Sequence, residues 1–100
     1  MNILDENIHV SLELEELLKK VVRMAKNDPG LKTYLEFNEK YKENYKSLED
    51  AAGNHAFDDY PDMFNITKQE GHTIRGFFQT YSPRKYPELK DYLQKLIASA

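Results

Sequence analysis

The chain contains no cysteine, which excludes a disulfide scaffold, a thiolate zinc site and a cysteine nucleophile. Long apolar runs are missing too. Hydrophobic residues come in pairs such as Leu17-Leu18 and Val21-Val22, far short of the roughly 20 that cross a bilayer as a helix. No segment alternates apolar and polar residues or gathers β-branched side chains in the manner of a strand. Only four glycines are present, and none builds a phosphate-cradling loop, a serine elbow or a dinucleotide fingerprint. The opening residues Met1-Asn2-Ile3-Leu4-Asp5-Glu6 lack the basic start and apolar stretch of a secretion signal. A cytoplasmic protein without a membrane partner is therefore expected.

What remains suffices for one small water-soluble unit. The 100 residues are 40% hydrophobic and 31% charged, too apolar for a disordered chain. One domain covering residues 1–100 is expected, at ~100–200 residues per domain; its first ten residues are either ordered or a flexible lead. The net charge is only −3, but it is unevenly placed. Between Ser47 and Thr67 there is no Lys or Arg, while Glu49, Asp50, Asp58, Asp59 and Asp62 are acidic. The segment from Lys68 onward is net basic, carrying Lys68, Arg75, Arg84, Lys85, Lys90 and Lys95. Such asymmetry bears on partners and association rates rather than on fold.

Five amphipathic segments predict an all-α domain of four to five packed helices. Ser11 caps the first, about Leu12 to Lys26, and Leu14, Leu17, Leu18, Val21 and Ala25 form its apolar stripe. Asp28-Pro29 opens the second, with Leu31, Tyr34, Leu35, Phe37, Tyr41 and Tyr45. Ser47-Leu48-Glu49-Asp50 resembles a capping box for a short third helix with Leu48, Ala51, Ala52 and His55. One long helix across 31–56 is the alternative. Residues 57–64 have no period and read as a loop that packs part of itself. Thr67-Lys68-Gln69-Glu70 is a better capping box, opening a fourth helix with Ile74, Phe77, Phe78 and Tyr81. Pro83 ends it. Pro87 starts a fifth with Leu89, Tyr92, Leu93, Leu96 and Ile97.

The chemistry-bearing residues do not form a familiar constellation. His9, His55 and His72 include no pair at the i, i+4 spacing of a helical zinc motif. Beyond an acid–base contact of His55 with Asp58 or Asp59, no catalytic centre, metal or cofactor is expected. From Asp58 onward the spacing fails as a calcium loop, since Tyr60 and Met63 fall where an oxygen ligand and a glycine are needed. Arg75-Gly76-Phe77-Phe78 imitates an RNA-binding signature, but its context is helical.

Two features survive. The first is the acidic, aromatic connection, read as a recognition loop: Asp58, Asp59 and Asp62 face a basic partner, and Tyr60, Met63 and Phe64 are anchors. Its bland counterpart is a packed connector with rings in the core beneath an acidic rim. The second is the basic C-terminal third, where Lys68, Arg75, Arg84 and Lys85 would contact nucleic acid. A helix–turn–helix version places Gln69, Thr73, Arg75, Gln79 and Thr80 on the exposed face of the fourth helix. That helix, however, carries few cations.

Residues 33–81 also carry a resemblance. The stretch Asp50-Ala51-Ala52-Gly53-Asn54-His55-Ala56-Phe57-Asp58-Asp59-Tyr60-Pro61 is similar to the alanine-bearing helix, acidic residue and aromatic-proline pair of the YozE-like proteins. Ile74, Phe77 and Phe78 stand for that family's next isoleucine and tyrosine-leucine pair. The spacing from Pro61 to Ile74 is a few residues longer than the family pattern. The resemblance implies a sterile-alpha-motif-like helical fold in a small bacterial or phage protein, with no established activity.

The sequence thus predicts a non-enzymatic protein that binds another protein with a basic surface, as an inhibitor, accessory factor or immunity-type protein. The 11 Lys and 7 Asn against 3 Arg fit an A+T-rich phage or bacterial genome. Nucleic-acid binding is the alternative. On the leading reading, neutralising Asp58 and Asp62 together weakens partner binding and leaves stability nearly unchanged.

Overall fold

Local capping sets where the principal helices begin, as a computed structural model of the chain shows. It describes residues 2–3, 9–35 and 44–100. Helix α1 (Leu12–Asn27) starts at Ser11, whose Oγ accepts the Leu14 N–H at 3.1 Å. Glu13 and Glu15 lie at its positive end and Lys26 at its negative end. Asp28 both ends α1 and caps α2 (Pro29–Leu35): its N–H reaches Met24 O, while its Oδ1 accepts Gly30 N–H at 2.9 Å and Leu31 N–H at 3.1 Å. After α3 (Tyr45–Gly53) come a single turn α4 (Ala56–Asp59) and a 3-10 helix (Pro61–Phe64). Helices α5 (Lys68–Thr80) and α6 (Pro87–Ser99) complete the described chain. The fold class is all-α, and among the described residues no helix is long and apolar enough to cross a membrane.

Helix α1 is the organising element because its stripe is buried along its length: Leu14, Leu17, Leu18, Val21, Val22 and Ala25. It packs against α2, α5, α6 and the 3-10 helix. Leu89, Leu93, Leu96 and Ile97 of α6 enter the same core, as do Ile74, Phe77 and Phe78 of α5. Polar ties fasten the rim: Tyr92 Oη donates to Glu15 Oε1 at 2.8 Å, and Lys26 Nζ donates to the Ile97 carbonyl.

The α5 capping box forms as its sequence predicts. Thr67 Oγ1 accepts Glu70 N–H at 3.0 Å, and Glu70 Oε1 accepts Thr67 N–H at 2.8 Å. Thr67→Ala is expected to cost about 1 kcal/mol, read as a lowered midpoint in urea unfolding with an unchanged slope.

Three expectations need correction. The Ser47 capping box does not form. Helix α3 begins at Tyr45, the backbone at Asn44 is already helical, and Ser47 is buried inside the helix. A capping side chain needs an extended backbone beneath it. Starting earlier places Tyr45, Leu48 and Ala52 on one buried face. The choice between one helix and two over 31–56, together with Phe37 and Tyr41, falls on residues 36–43, outside the described residues. Strand pairing, which no pattern signals, occurs once among the described residues: β1 (Asn2–Ile3) pairs antiparallel with β2 (His9–Val10). Two-residue strands are too short to carry a period. Of the first ten residues, whose order the sequence leaves open, these four are paired, and Val10 is fully buried. Finally, residues 57–64, read as a loop that packs part of itself, do pack Phe57 and Phe64 inside, but as two helical turns.

Candidate functional site

The segment between α3 and α5 is shaped by two residues with left-handed backbone, His55 at φ 62° and Asn65 at φ 53°. His55 reverses the chain after Gly53-Asn54 and starts α4, where Asp59 N–H bonds back to His55 O and Tyr60 N–H to Ala56 O. Pro61 then opens the 3-10 helix at a position where its missing N–H is no loss. Asn65 closes that helix before Thr67 begins the next.

This path sorts the predicted contact residues into two sets. Phe57 and Phe64 are fully buried and meet with ring centroids 4.9 Å apart. Asp58 is buried as well, with 3% of its surface accessible. Asp58 and Phe64 therefore leave the expected recognition surface; Phe64 is a core ring and Asp58 an internal carboxylate. Tyr60 and Met63 remain outside, 57% and 40% exposed, and Asp59 and Asp62 are exposed beside them. Met63 N–H bonds to Tyr60 O at 3.2 Å, so the two exposed side chains belong to one tight turn. With Leu12 they are the large hydrophobic residues left exposed among the described residues.

Asp58 is the inner half of the site. Its Oδ2 lies 3.3 Å from His55 Nδ1, 3.4 Å from His72 Nδ1 and 3.9 Å from Arg75 Nε. The contact with His55 follows from the i, i+3 spacing. His72 and Arg75 are partners that sequence reasoning missed, since they arrive on α5. Burial pushes the Asp58 carboxyl up. The His55 hydrogen bond, the residue's own backbone N–H and the electrostatic attraction of His55 and Arg75 outweigh it, and hold the group below its ordinary value. Asp58 Oδ1 and Arg75 Nε are buried without a hydrogen-bond partner. Asp59 completes a group with His55 and Asp58 in which the potential ligand atoms all lie within 4.8 Å of one another.

The approach of α5 to α4 depends on Gly71. A Cβ there would lie 2.1 Å from the Phe57 carbonyl oxygen and 2.8 Å from Asp58 Cα. That closeness brings His72 and Arg75 to the buried carboxylate.

The four predicted nucleic-acid contacts do not form one free basic surface. Arg75 turns inward to Asp58, and its side chain is 29% exposed. Arg84 lies 3.8 Å from Glu49, whose Oε1 also accepts Ser82 Oγ–H at 3.0 Å. Lys85 Nζ sits over the Tyr86 ring at 5.8 Å. Lys68 is exposed in the first turn of α5, the end a helix dipole makes unfavourable for a cation. Gln69, Thr73, Gln79 and Thr80 do face outward, as the helix–turn–helix reading requires, but Arg75 does not join them fully.

Fold and site together define a small all-helical domain with an acidic, aromatic ridge over a buried carboxylate. Comparison with protein-family models, with curated proteins and with solved structures returned no match to this chain.

Proposed function

We infer that this protein is a non-enzymatic binding domain that engages a basic surface of another protein through Asp59, Tyr60, Asp62 and Met63. The observation that carries this reading is the exposure of Tyr60 and Met63 on one tight turn flanked by two exposed carboxylates. Exposed aromatic and methionine side chains at the centre of a contact, rimmed by charge, are the composition of interface anchors. The rim carboxylates act mainly on association rate and partner choice. The YozE-like resemblance of residues 33–81, a family without established activity, supports the same non-enzymatic reading. An inhibitor, accessory or immunity-type role in a phage or bacterium with an A+T-rich genome follows from the small size and the lysine and asparagine usage, with action in the cytoplasm. The basic C-terminal third, as a nucleic-acid surface, is the competing outcome.

Affinity capture from the native host tests this, comparing wild type with Asp59→Asn/Asp62→Asn and with Tyr60→Ala/Met63→Ala. The first pair is expected to slow association and flatten its salt dependence. The second is expected to weaken binding about tenfold or more, as truncation of anchor residues does. Both should leave unfolding free energy within about 0.5 kcal/mol, since these side chains are exposed. Capture of the same protein equally well by both variants would refute the reading. So would tight gel-shift binding of DNA or RNA that is lost on substitution of Lys68 and Lys85.

A further inference from the structure

We propose that the cleft between α3 and α5 binds a free aliphatic α-amino acid of about the size of leucine, taken as its zwitterion. Neither Tyr60 nor Met63 lines this cleft, so the proposal does not rest on the protein-binding reading above. Size, wall charge and unused hydrogen-bond donors support it separately.

The cleft has a volume of about 270 Å³. Liquid water would fill that space with roughly nine molecules at ~30 Å³ each, and leucine has about as many heavy atoms. Pockets for drug-sized ligands run from ~300 to ~1,000 Å³, so a nucleotide is too large. Gly53 of α3 lines the cleft and brings no side chain to it, and a Cβ added there would meet nothing within 4 Å. Phe78 of α5, only 6% exposed, supplies an apolar surface for an aliphatic side chain.

The walls carry charge of both signs. Glu49 and Asp50 stand on α3, Arg75 on α5, and Arg84 in the turn that follows α5. Two carboxylates and two guanidinium groups balance. A phosphate would be repelled by the first pair, and a simple amine by the second. A zwitterion meets opposite charge at each end.

Among the described residues neither guanidinium group donates a hydrogen bond. Arg75 Nε lies 3.9 Å from Asp58 Oδ2, and Arg84 Nε lies 3.8 Å from Glu49 Oε1, both too long for a hydrogen bond. Asp58 comes closest at the Nε edge of Arg75, which leaves the terminal nitrogens for another acceptor. A guanidinium fork matches a carboxylate in a bidentate pair, so Arg75 and Arg84 are assigned to the ligand's carboxylate. Glu49 already accepts the Ser82 hydroxyl at 3.0 Å. The exposed Asp50 carboxylate has no partner among the described residues and is assigned to the ammonium group.

Isothermal titration of the full chain with L-leucine is expected to give one saturable site of modest affinity, since the cleft is open to water. Isocaproate, which lacks the ammonium group, and isoamylamine, which lacks the carboxylate, should each bind at least about tenfold more weakly. Arg84→Gln and Asp50→Asn alter exposed side chains, so circular dichroism and the unfolding midpoint should be unchanged. Each is expected to weaken L-leucine at least about tenfold, while Lys85→Gln, outside the cleft, retains full affinity. Absence of saturable L-leucine binding would overturn the proposal, as would equal affinity in the wild type and both cleft variants. Binding of inorganic phosphate or of either singly charged analogue as tight as that of L-leucine would also overturn it.

Discussion

Gly71→Ala is expected to destabilise the protein by about 2 kcal/mol and to lower its melting temperature by about 8–16 °C. In an ordinary helix interior the same substitution is favourable by roughly 1 kcal/mol, because alanine loses less backbone entropy on folding. Here the added Cβ would stand 2.1 Å from the Phe57 carbonyl oxygen and 2.6 Å from its carbon. Those atoms belong to backbone and cannot rotate away, so α4 and α5 must separate. Overpacking of this kind costs about 1–3 kcal/mol; the upper end applies, and offsetting it against the propensity gain leaves the stated figure. Gly76 is the internal control. It lies in the same helix, and a Cβ added there would have nothing within 4 Å, so Gly76→Ala should stabilise by about 0.5–1 kcal/mol. Calorimetric scans of the two variants should therefore move in opposite directions. A neutral Gly71→Ala would mean that α4 and α5 do not approach as described.

Asp58→Asn is expected to cost about 2–3 kcal/mol at neutral pH. Removing one partner of a buried ion pair costs about 3–5 kcal/mol. The figure is scaled down because His55 and His72 have side chains 42% and 47% exposed and keep access to water. Arg75 bears the rest, since its Nε is already buried without a hydrogen bond. The pH dependence follows from the direction of the shift. The folded-state pKa of Asp58 lies below the ordinary value of 3.8, so its stabilisation is present in full above that value. It is lost as pH falls through the folded pKa. Denaturant titrations should show a gap between wild type and Asp58→Asn at about pH 5 that narrows steadily below about pH 4. A gap that persists unchanged at low pH would rule out an ionised buried Asp58. Asp62→Asn, at an exposed position, should change stability by less than about 0.5 kcal/mol. This prediction departs from the sequence-based expectation that neutralising both aspartates leaves stability nearly unchanged, because Asp58 is buried and Asp62 is exposed.

The contrast between Asp58 and Asp59 shows why half of the site was not legible. The two are adjacent and chemically identical, and nothing in residues 57–64 has a period to say which faces inward. In a long helix the alternation of faces is repeated often enough to be read, as it is for Leu14, Leu17, Leu18 and Val21. In a single turn it is not repeated. The inner set was chosen by α5, whose Gly71 admits the α4 backbone and whose His72 and Arg75 meet the carboxylate that arrives there. The bland alternative for this segment, rings in the core under an acidic rim, describes Phe57 and Phe64 correctly, while Tyr60 and Met63 keep the exposure that the recognition reading needs.

By itself the sequence determined the helical class, the starts of α1, α2, α5 and α6, and the apolar stripes of α1, α5 and α6. These depend on interactions within a few residues: Ser11 with Leu14, Asp28 with Leu31, Thr67 with Glu70, and proline at the first position of α2 and α6. Tertiary structure alone decided that α3 begins at Tyr45, that Val10 is drawn into the core by a two-residue strand pair, and that Asp58 is internal while Asp59 is not. Each of those outcomes depends on a surface contributed from elsewhere in the chain. Burial against that surface outweighs the local capping preference at Ser47 and the solvation of a carboxylate at Asp58, because a carboxylate met by His55, His72 and Arg75 recovers in charge and hydrogen bonding what it gives up in water.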